Sequence, residues 1–303
     1  MKLPTFLIVG VQKAGTTSIY NYLQKHPQVY MSPVKETNFL EKDWSTVENA
    51  QKNKNGILTI EDYGKLFDGV TNEIAIGEAS PNYLFHYQSS AARIQQYVPE
   101  AKLIAVLRNP TERAYSDYLM HLRDAINYRP LEEQIKHSAH KSFILQKGFY
   151  YTPIKYYLDV FGREQVRVFL YEELCKNSLK FMQEMYRYIG VDDTFQVDTS
   201  RKVQTAKIPK NKTINNLLQK DNPLRSLAAN TLKSIMPLSA RQNLRDRLIN
   251  LNSKSKKEAP LAPETRQKLN ELYREDILKL QDLLQQDLSI WLKYCRSPID
   301  ELN

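Results

Sequence analysis

The chain has 303 residues, of which 42% are hydrophobic and 25% are charged, with only 9 glycines and 14 prolines. This composition is that of a globular protein, and it excludes a disordered, collagen-like or coiled-coil chain. The formal net charge of +9 is concentrated in one segment, because residues 201–257 hold 14 Lys or Arg and only 2 acidic residues, a local charge of +12. Such a segment either attracts phosphate, sulfate, nucleic acid or an anionic surface, or forms the solvated face of helices.

The first two-thirds of the sequence alternate between predicted strands and helices. The first predicted strand covers 4–9 and ends at Gly10, and a helix is predicted from about Thr16 to His26. Further strands are predicted at 74–77, 103–107 and 166–170, with helical stretches such as 110–122 and 178–189. Strands that alternate with helices form a parallel sheet, which binds ligands at the carboxyl ends of its strands. The predicted fold class is therefore α/β, with a P-loop-type central parallel sheet flanked by helices.

No strand is predicted after residue 200. The sequence there is expected to form a polar linker, a basic helical region at 214–251, a Ser- and Lys-rich break at 252–263, and a final helix. Seven apolar residues of that helix keep the spacing of three and four that a buried helical face requires: Leu269, Leu272, Tyr273, Ile277, Leu280, Leu283 and Leu284. We expect one domain over 1–303, made of an α/β core at 1–200 and a basic, helical C-terminal region at 201–303.

The sequence also predicts a cytoplasmic protein without a metal site. Its longest apolar runs, at 6–11 and 103–107, are far shorter than the roughly 18 to 20 residues needed to cross a bilayer. The amino-terminus lacks the apolar core and cleavage site of a signal peptide. Cys175 and Cys295 have no CxxC or CxxH pattern, so neither a disulfide framework nor a structural zinc site is indicated.

Residues 10–18, with the sequence GVQKAGTTS, have the GxxxxG spacing of a nucleotide phosphate loop between a strand and a helix. A Walker A motif requires a lysine directly after the second glycine, followed by a hydroxyl residue that holds magnesium. Here Thr16 takes the lysine position, and Lys13 lies inside the loop. The loop amides and the start of the helix still predict an anion site. Its candidate residues are Lys13, Ala14, Gly15, Thr16, Thr17 and Ser18.

Two segments, FLIVGVQKAGTTSIYNYLQKHP at 6–27 and LIAVLRNPTERAYSDY at 103–118, closely resemble the PAPS-binding motifs of sulfotransferases. PAPS, 3′-phosphoadenosine 5′-phosphosulfate, is the sulfuryl donor of that family. The resemblance extends to KETNF at 35–39, which is similar to the KE-x-x-F segment of the heparan sulfate branch, and to GEASPNY at 77–83. It covers most of residues 4–190 and implies a PAPS-binding core at 1–200, with adenosine 3′,5′-bisphosphate (PAP) as the product and no required metal.

The resemblance implies that residues 13–18 hold the 5′-phosphosulfate, and that Arg108 and Ser116 hold the 3′-phosphate. Arg108 follows a predicted strand, so its guanidinium is placed at the ligand edge of the sheet. Ser116 lies in the first turns of the next predicted helix, where a hydroxyl and the helix dipole both favour an anion. An ion pair with Glu112 or another acidic residue is the alternative interpretation of Arg108. Lys207 and Lys210 are expected to belong to a flap over the nucleotide.

Sulfuryl transfer requires the protein to align the acceptor with the leaving oxygen and to stabilise moving charge. Lys13 is the candidate for neutralising the leaving 5′-phosphate oxygen. Glu36 is the candidate base for the acceptor proton, and Lys35 would orient the sulfuryl group or tune Glu36. Without the resemblance, Lys35 and Glu36 would be interpreted as an exposed charged pair. Glu78 is the rival carboxylate, with an expected supporting role in shaping the pocket.

The acceptor is predicted only from a narrower resemblance. The chain is similar to bacterial members of the family that modify small natural products, including saxitoxin-type alkaloids, which implies a small-molecule hydroxyl or amine acceptor. Ala79 stands where glycosaminoglycan relatives commonly have a lysine, so one expected cation is missing. Oligosaccharide or glycolipid acceptors, and contact of the basic helices with an anionic membrane, remain alternatives.

Two other function classes compete with sulfuryl transfer. A P-loop kinase of small molecules is disfavoured by the missing Walker A lysine. A nucleic-acid-binding protein is disfavoured because aromatic and basic residues do not interleave in 201–257 as they do in known modules. We therefore expect no nucleic-acid partner.

Overall fold

The fold is taken from a computed structural model of the chain. The structure describes residues 1–44, 46–50, 55–124, 129–137, 139–199, 207–209, 211, 247, 251, 253–255 and 260–292. The chain divides into two compact units, each assembled from segments that are distant in sequence. The first consists of Met1–Asn109, Phe149–Gln204 and Asp276–Leu288, and the second of Pro110–Gly148, Thr205–Glu275 and Ser289–Asn303.

A five-stranded parallel sheet forms the centre of the first unit. Its strands are β1 (Phe6–Gly10), β2 (Val29–Met31), β3 (Ala75–Ala79), β4 (Lys102–Leu107) and β5 (Val166–Leu170). They lie in the order β2-β3-β1-β4-β5, so β1 is the central strand. Every residue of β1 and β3 is buried. Successive side chains of a strand point to opposite faces of the sheet. Burial of every residue therefore means that both faces of these strands are covered, as is usual for a parallel sheet.

Helices alternate with the strands along the chain. In chain order they are α1 (Thr16–Leu23), α2 (Val47–Ala50), α3 (Ile60–Lys65), α4 (Tyr87–Tyr97), α5 (Pro110–Arg123), α6 (Leu131–His137), α7 (Phe143–Gln146), α8 (Tyr151–Phe161), α9 (Tyr171–Lys176), α10 (Ser178–Ile189) and α11 (Pro263–Leu284). Two short 3₁₀ turns cover Phe39–Glu41 and Ser289–Trp291. Helices α5, α6 and α7 belong to the second unit, and α11 contributes residues to both units.

The predicted α/β class with a central parallel sheet is confirmed. The predicted strands at 4–9, 74–77, 103–107 and 166–170 correspond to β1, β3, β4 and β5. Strand β2 was not predicted, because its three residues, Val-Tyr-Met, are too few to show a periodic pattern. The final helix is α11, in which Leu269, Tyr273, Ile277 and Leu280 are buried as their spacing predicts.

The expectation that no strand follows residue 200 is wrong. Strands β6 (Lys207–Pro209) and β7 (Ser253–Ser255) form an antiparallel pair in the second unit. Each has three residues, and their pairing joins segments more than 40 positions apart, so no local pattern indicates them. The predicted basic helical region at 214–251 lies outside the described residues, apart from 247 and 251.

Candidate active site

The carboxyl ends of the five parallel strands place five connections at one edge of the sheet. Residues 11–15 follow β1, 32–38 follow β2, 80–83 follow β3, 108–109 follow β4, and Tyr171 follows β5. Backbone hydrogen bonds join these connections to neighbouring strands. Val11 N donates to Val106 O at 2.9 Å, and Glu36 N donates to Ala79 O at 3.1 Å. This edge is where an α/β sheet binds its ligand.

The loop after β1 has the geometry that a phosphate or sulfate group requires. The first hydrogen bond of α1 runs from Ile19 N to Gly15 O at 3.1 Å, so the amides of residues 15–18 precede the helical ladder. These amides, together with the helix dipole, favour an anion. Gly15 has φ of 78°, and a Cβ added there would lie 2.9 Å from atoms of Tyr171 and Leu174. Glycine is therefore required at this position.

Lys13 and Arg108 are connected through the loop backbone. Lys13 has a left-handed backbone with φ of 73°, and its carbonyl oxygen accepts a hydrogen bond from Arg108 Nη1 at 2.8 Å. The Arg108 guanidinium also lies 4.7 Å from the centre of the Tyr171 ring. A planar guanidinium held on both sides in this way is preorganised for an anion. Glu112, the alternative partner considered for Arg108, forms an ion pair with Arg266 at 2.6 Å.

The remaining candidate donor-binding residues belong to the second unit. Ser116 is buried on α5, beside a fully buried ion pair in which Arg113 Nη1 and Asp117 Oδ2 are 3.0 Å apart. Lys207 has its backbone in β6, and Lys210 lies outside the described residues. The pairing of Ser116 with Arg108 on one phosphate, and the flap formed by Lys207 and Lys210, therefore stay predictions.

Lys35 and Glu36 lie in the loop after β2. Lys35 Nζ and Glu36 Oε1 are 3.0 Å apart, and the two side chains are 18% and 36% exposed. Glu36 has φ of 64°, and Asn55 Nδ2 donates to its carbonyl oxygen at 2.7 Å. The Glu36 carboxylate is thus accessible to a ligand while its backbone is fixed.

Glu78, the rival carboxylate, is fully buried on β3. Its Oε1 accepts hydrogen bonds from Thr37 Oγ1, at 3.1 Å, and from Ser80 Oγ. Burial raises the pKa of Glu78 to about 7, against the hydrogen bonds from Ser80 and Thr37 that lower it, and the Glu36 charge raises it further. A carboxyl group with no exposed surface is not accessible to an acceptor. This burial is consistent with the role expected for Glu78, which is to shape the pocket.

The structure also brings in residues that the motif analysis did not assign. Tyr171 packs against Gly15 and beneath Arg108, and burial raises its pKa to about 12, so its hydroxyl is protonated at neutral pH. Its position directly after the fifth strand is the sequence signal that would have found it, by the carboxyl-end rule. Thr37 and Tyr83, which contact each other at 3.3 Å, carry no such signal, because their contact joins residues 46 positions apart.

In the described part of the chain, no helix combines the length and apolar character needed to span a bilayer. The same residues contain no cluster of three or more His, Cys, Asp or Glu side chains arranged to hold a metal ion. The predicted cytoplasmic location stays a prediction.

The family model described as "Sulfotransferase domain" matches residues 3–281. The chain is similar to carbohydrate sulfotransferase 15 of Mus musculus, with 26% identity over 62% of this chain and 44% of that protein. It is 30% identical to the human bifunctional heparan sulfate N-deacetylase/N-sulfotransferase 2 over 63% of this chain and 22% of that protein. The chain therefore spans less than half the length of these curated relatives.

A solved structure gives a likeness over nearly the whole chain. The crystal structure of a sulfotransferase from Alicyclobacillus acidocaldarius has a TM-score of 0.69 and 27% sequence identity, covering 97% of this chain and all of that one. The family match includes the loop after β1, the 35–39 loop and the Arg108 segment. The chain belongs to the sulfotransferase domain family.

Proposed function

We propose that this protein transfers the sulfuryl group of PAPS to a hydroxyl or amine of an acceptor. The observation that carries the proposal is the loop after β1, in which Lys13 replaces the Walker A lysine and its carbonyl oxygen is bound by Arg108 at 2.8 Å. In this arrangement the anion-binding loop after β1 contacts a second cation, Arg108, in the same unit. Such a pair suits a nucleotide with phosphate groups at two separate positions, which PAPS has and ATP lacks.

The residues of the loop edge would divide the chemistry among them. The acceptor oxygen or nitrogen forms a bond to sulfur while the bond between sulfur and the 5′-phosphate oxygen breaks. The electron pair of the breaking bond stays on that oxygen, where Lys13 stabilises it. Glu36 takes the acceptor proton, and PAP leaves. Lys35, at 3.0 Å from Glu36 Oε1, holds the carboxylate in place until the acceptor binds.

A magnesium ion has no role in this scheme. A Walker A loop pairs a lysine directly after its second glycine with a magnesium-binding hydroxyl residue next to it, whereas here Thr16 takes the lysine position, so that paired arrangement is missing. Charge on the leaving group is met by Lys13 and the loop amides instead. A kinase requires the metal and the proposed sulfuryl transfer does not, so activity measured in excess EDTA distinguishes the two functions.

For the acceptor, the sequence relatives favour a saccharide. Two of them are named as a carbohydrate and a heparan sulfate sulfotransferase, and the family match at residues 3–281 includes the GxxxxG and KE-x-x-F segments. Saccharides present both hydroxyl and amine groups, so either type of acceptor could enter the same site. The small natural product predicted from the sequence, such as a saxitoxin-type alkaloid, stays a second candidate, because the same motif segments indicate both classes of acceptor.

The test is a transfer assay with ³⁵S-labelled PAPS and an acceptor panel that contains sulfated and unsulfated oligosaccharides, glycolipids and small alkaloids. We expect labelled product from the saccharides with excess EDTA present. Glu36→Gln should lower kcat by about 10² or more with PAP affinity unchanged, because it removes basicity but keeps size. Phosphate transfer from ATP and magnesium, with no transfer from PAPS, would contradict the proposal.

A further inference from the structure

A chain of hydrogen bonds inside the first unit ends on the buried carboxyl group of Glu78. Leu40 N donates to Tyr83 OH at 3.1 Å, and Tyr83 OH lies 3.3 Å from Thr37 Oγ1. Thr37 Oγ1 donates in turn to Glu78 Oε1 at 3.1 Å. A second branch runs from Asn38 N to Ser80 Oγ, at 3.0 Å, and from Ser80 Oγ to the same carboxyl oxygen.

The direction of both branches follows from the number of hydrogens available. A hydroxyl group carries one hydrogen, and an ionised carboxylate only accepts. Because Thr37 and Ser80 each give their hydrogen to Glu78, Thr37 must accept from Tyr83, and Ser80 must accept from Asn38 N. Every donor therefore points toward Glu78 Oε1. A proton added to this carboxyl group has Oε2 available, which accepts no hydrogen bond in the described part of the chain, so protonation leaves both branches intact.

Both branches include residues of the loop that carries Glu36. Three consecutive residues of that loop are tied to β3 and to the segment after it: Glu36 through its N–H to Ala79 O, Thr37 through its hydroxyl, and Asn38 through its N–H. The backbone there is unusual, with φ of 64° at Glu36 and 53° at Asn38. Left-handed conformations at residues other than glycine persist where the surroundings fix them, and the Glu78 network supplies that fixation.

We infer that Thr37 and Glu78 are positioning residues, which hold the strained 36–38 loop so that the Glu36 carboxylate meets the acceptor. This inference rests on the proposed function, because it gives Glu36 the role of base. Thr37 and Glu78 are both fully buried, so they contact neither donor nor acceptor. Their effect on turnover passes through the position of Glu36, where a displacement of about 1 Å is sufficient for a loss of about 10² in rate.

The main test compares Thr37→Val, which removes the hydroxyl at nearly constant volume, with Thr37→Ser, which keeps it. We expect Thr37→Val to lower kcat at least about 10-fold, with acceptor KM and PAP affinity within about threefold of wild type. Thr37→Ser should restore kcat to within about threefold. Turnover is expressed per PAP-binding site, so that a loss of folded protein does not count as a loss of rate. The matched control is Thr71→Val, which removes an exposed hydroxyl bonded to Glu73 and should leave kcat unchanged.

A double-mutant cycle shows whether Thr37 acts through Glu36. If it does, Thr37→Val has less than about a twofold effect when Glu36 is already glutamine, because the group being positioned is gone. Equal losses in the two backgrounds would overturn the inference. So would wild-type turnover per site in Thr37→Val.

Amide hydrogen exchange separates this inference from the proposed function. Thr37→Val should increase the exchange rates of residues 36–40 at least about 10-fold, while those of β1 stay as in the wild type. Unchanged exchange in this loop would refute the positioning role even if PAPS is confirmed as donor. Conversely, if Glu36→Gln keeps normal turnover, the base assignment fails, and faster exchange in Thr37→Val then shows only that the loop is anchored.

Discussion

The buried carboxyl group of Glu78 makes the stability of the protein depend on pH in a predictable direction. The pKa of Glu78 is raised from 4.5 to about 7 because burial disfavours the charged form. Between these two values the folded chain holds a proton that the unfolded chain has lost. The contribution of Glu78 to the free energy of unfolding is thus fully present below pH 4.5 and is lost as the pH rises to about 7.

The size of the effect follows from the shift. One pKa unit corresponds to about 1.4 kcal/mol, so a shift of about 2.5 units changes the free energy of unfolding by on the order of 3 kcal/mol. Glu78→Gln removes the titration and keeps an oxygen that accepts from Thr37 and Ser80. Relative to wild type, the variant should therefore gain about 2.5 kcal/mol in unfolding free energy between pH 5 and pH 8, because at pH 5 part of the full effect is already lost.

The assay is urea unfolding of the wild type and Glu78→Gln at pH 5 and pH 8. Glu73→Gln is the matched control: hydrogen bonds from the Thr71 amide lower the pKa of Glu73, so this group is ionised in both states over the range and its variant should show no pH-dependent difference. A difference between Glu78→Gln and wild type that is the same at both pH values would refute the reasoning that burial raises the pKa of Glu78.

Four further predictions concern the donor site. Lys13→Ala should lower kcat about 10² to 10³-fold in the ³⁵S transfer assay with PAP affinity within severalfold of wild type, because its charge acts on the leaving oxygen. Arg108→Ala should weaken calorimetric PAP binding at least about 10-fold, since it removes charged hydrogen bonds; unchanged affinity would remove Arg108 from the 3′-phosphate. Gly15→Ala should lower the urea unfolding free energy by about 1 to 3 kcal/mol, because φ is 78° and the added Cβ meets Tyr171 and Leu174. Excess EDTA should leave initial rates unchanged, and strict magnesium dependence would favour the kinase alternative.

Local patterns were sufficient to predict most of the sheet. Strands β1, β4 and β5 have four or more consecutive residues of strand-forming type, bounded by turn residues, and their alternation with helices predicts parallel pairing. From that pairing it follows that Lys13 and Arg108 meet at one edge. Strands β2, β6 and β7 have three residues each, which is too short for any periodicity to be visible.

Long-range polar contacts could not be predicted from the sequence. Glu78 and Glu36 are the two carboxylates of the 77–83 and 35–39 segments, and only the burial of Glu78 and its bond to Thr37, 41 positions away, distinguish it from Glu36. Likewise, no local sequence pattern indicates that Arg108 donates a hydrogen bond to the Lys13 carbonyl oxygen. These contacts depend on how strands from separate parts of the chain are ordered in the sheet.

The central claim is that the loop edge of the sheet binds an adenosine donor with a separate 3′-phosphate. Isothermal titration calorimetry with PAP in excess EDTA, beside ATP with magnesium, tests it most directly, because binding of the product needs no acceptor. We predict saturable binding of PAP at one site per chain without metal, and no detectable binding of ATP with magnesium under the same conditions. Tight binding of ATP with magnesium, together with no binding of PAP, would contradict the account.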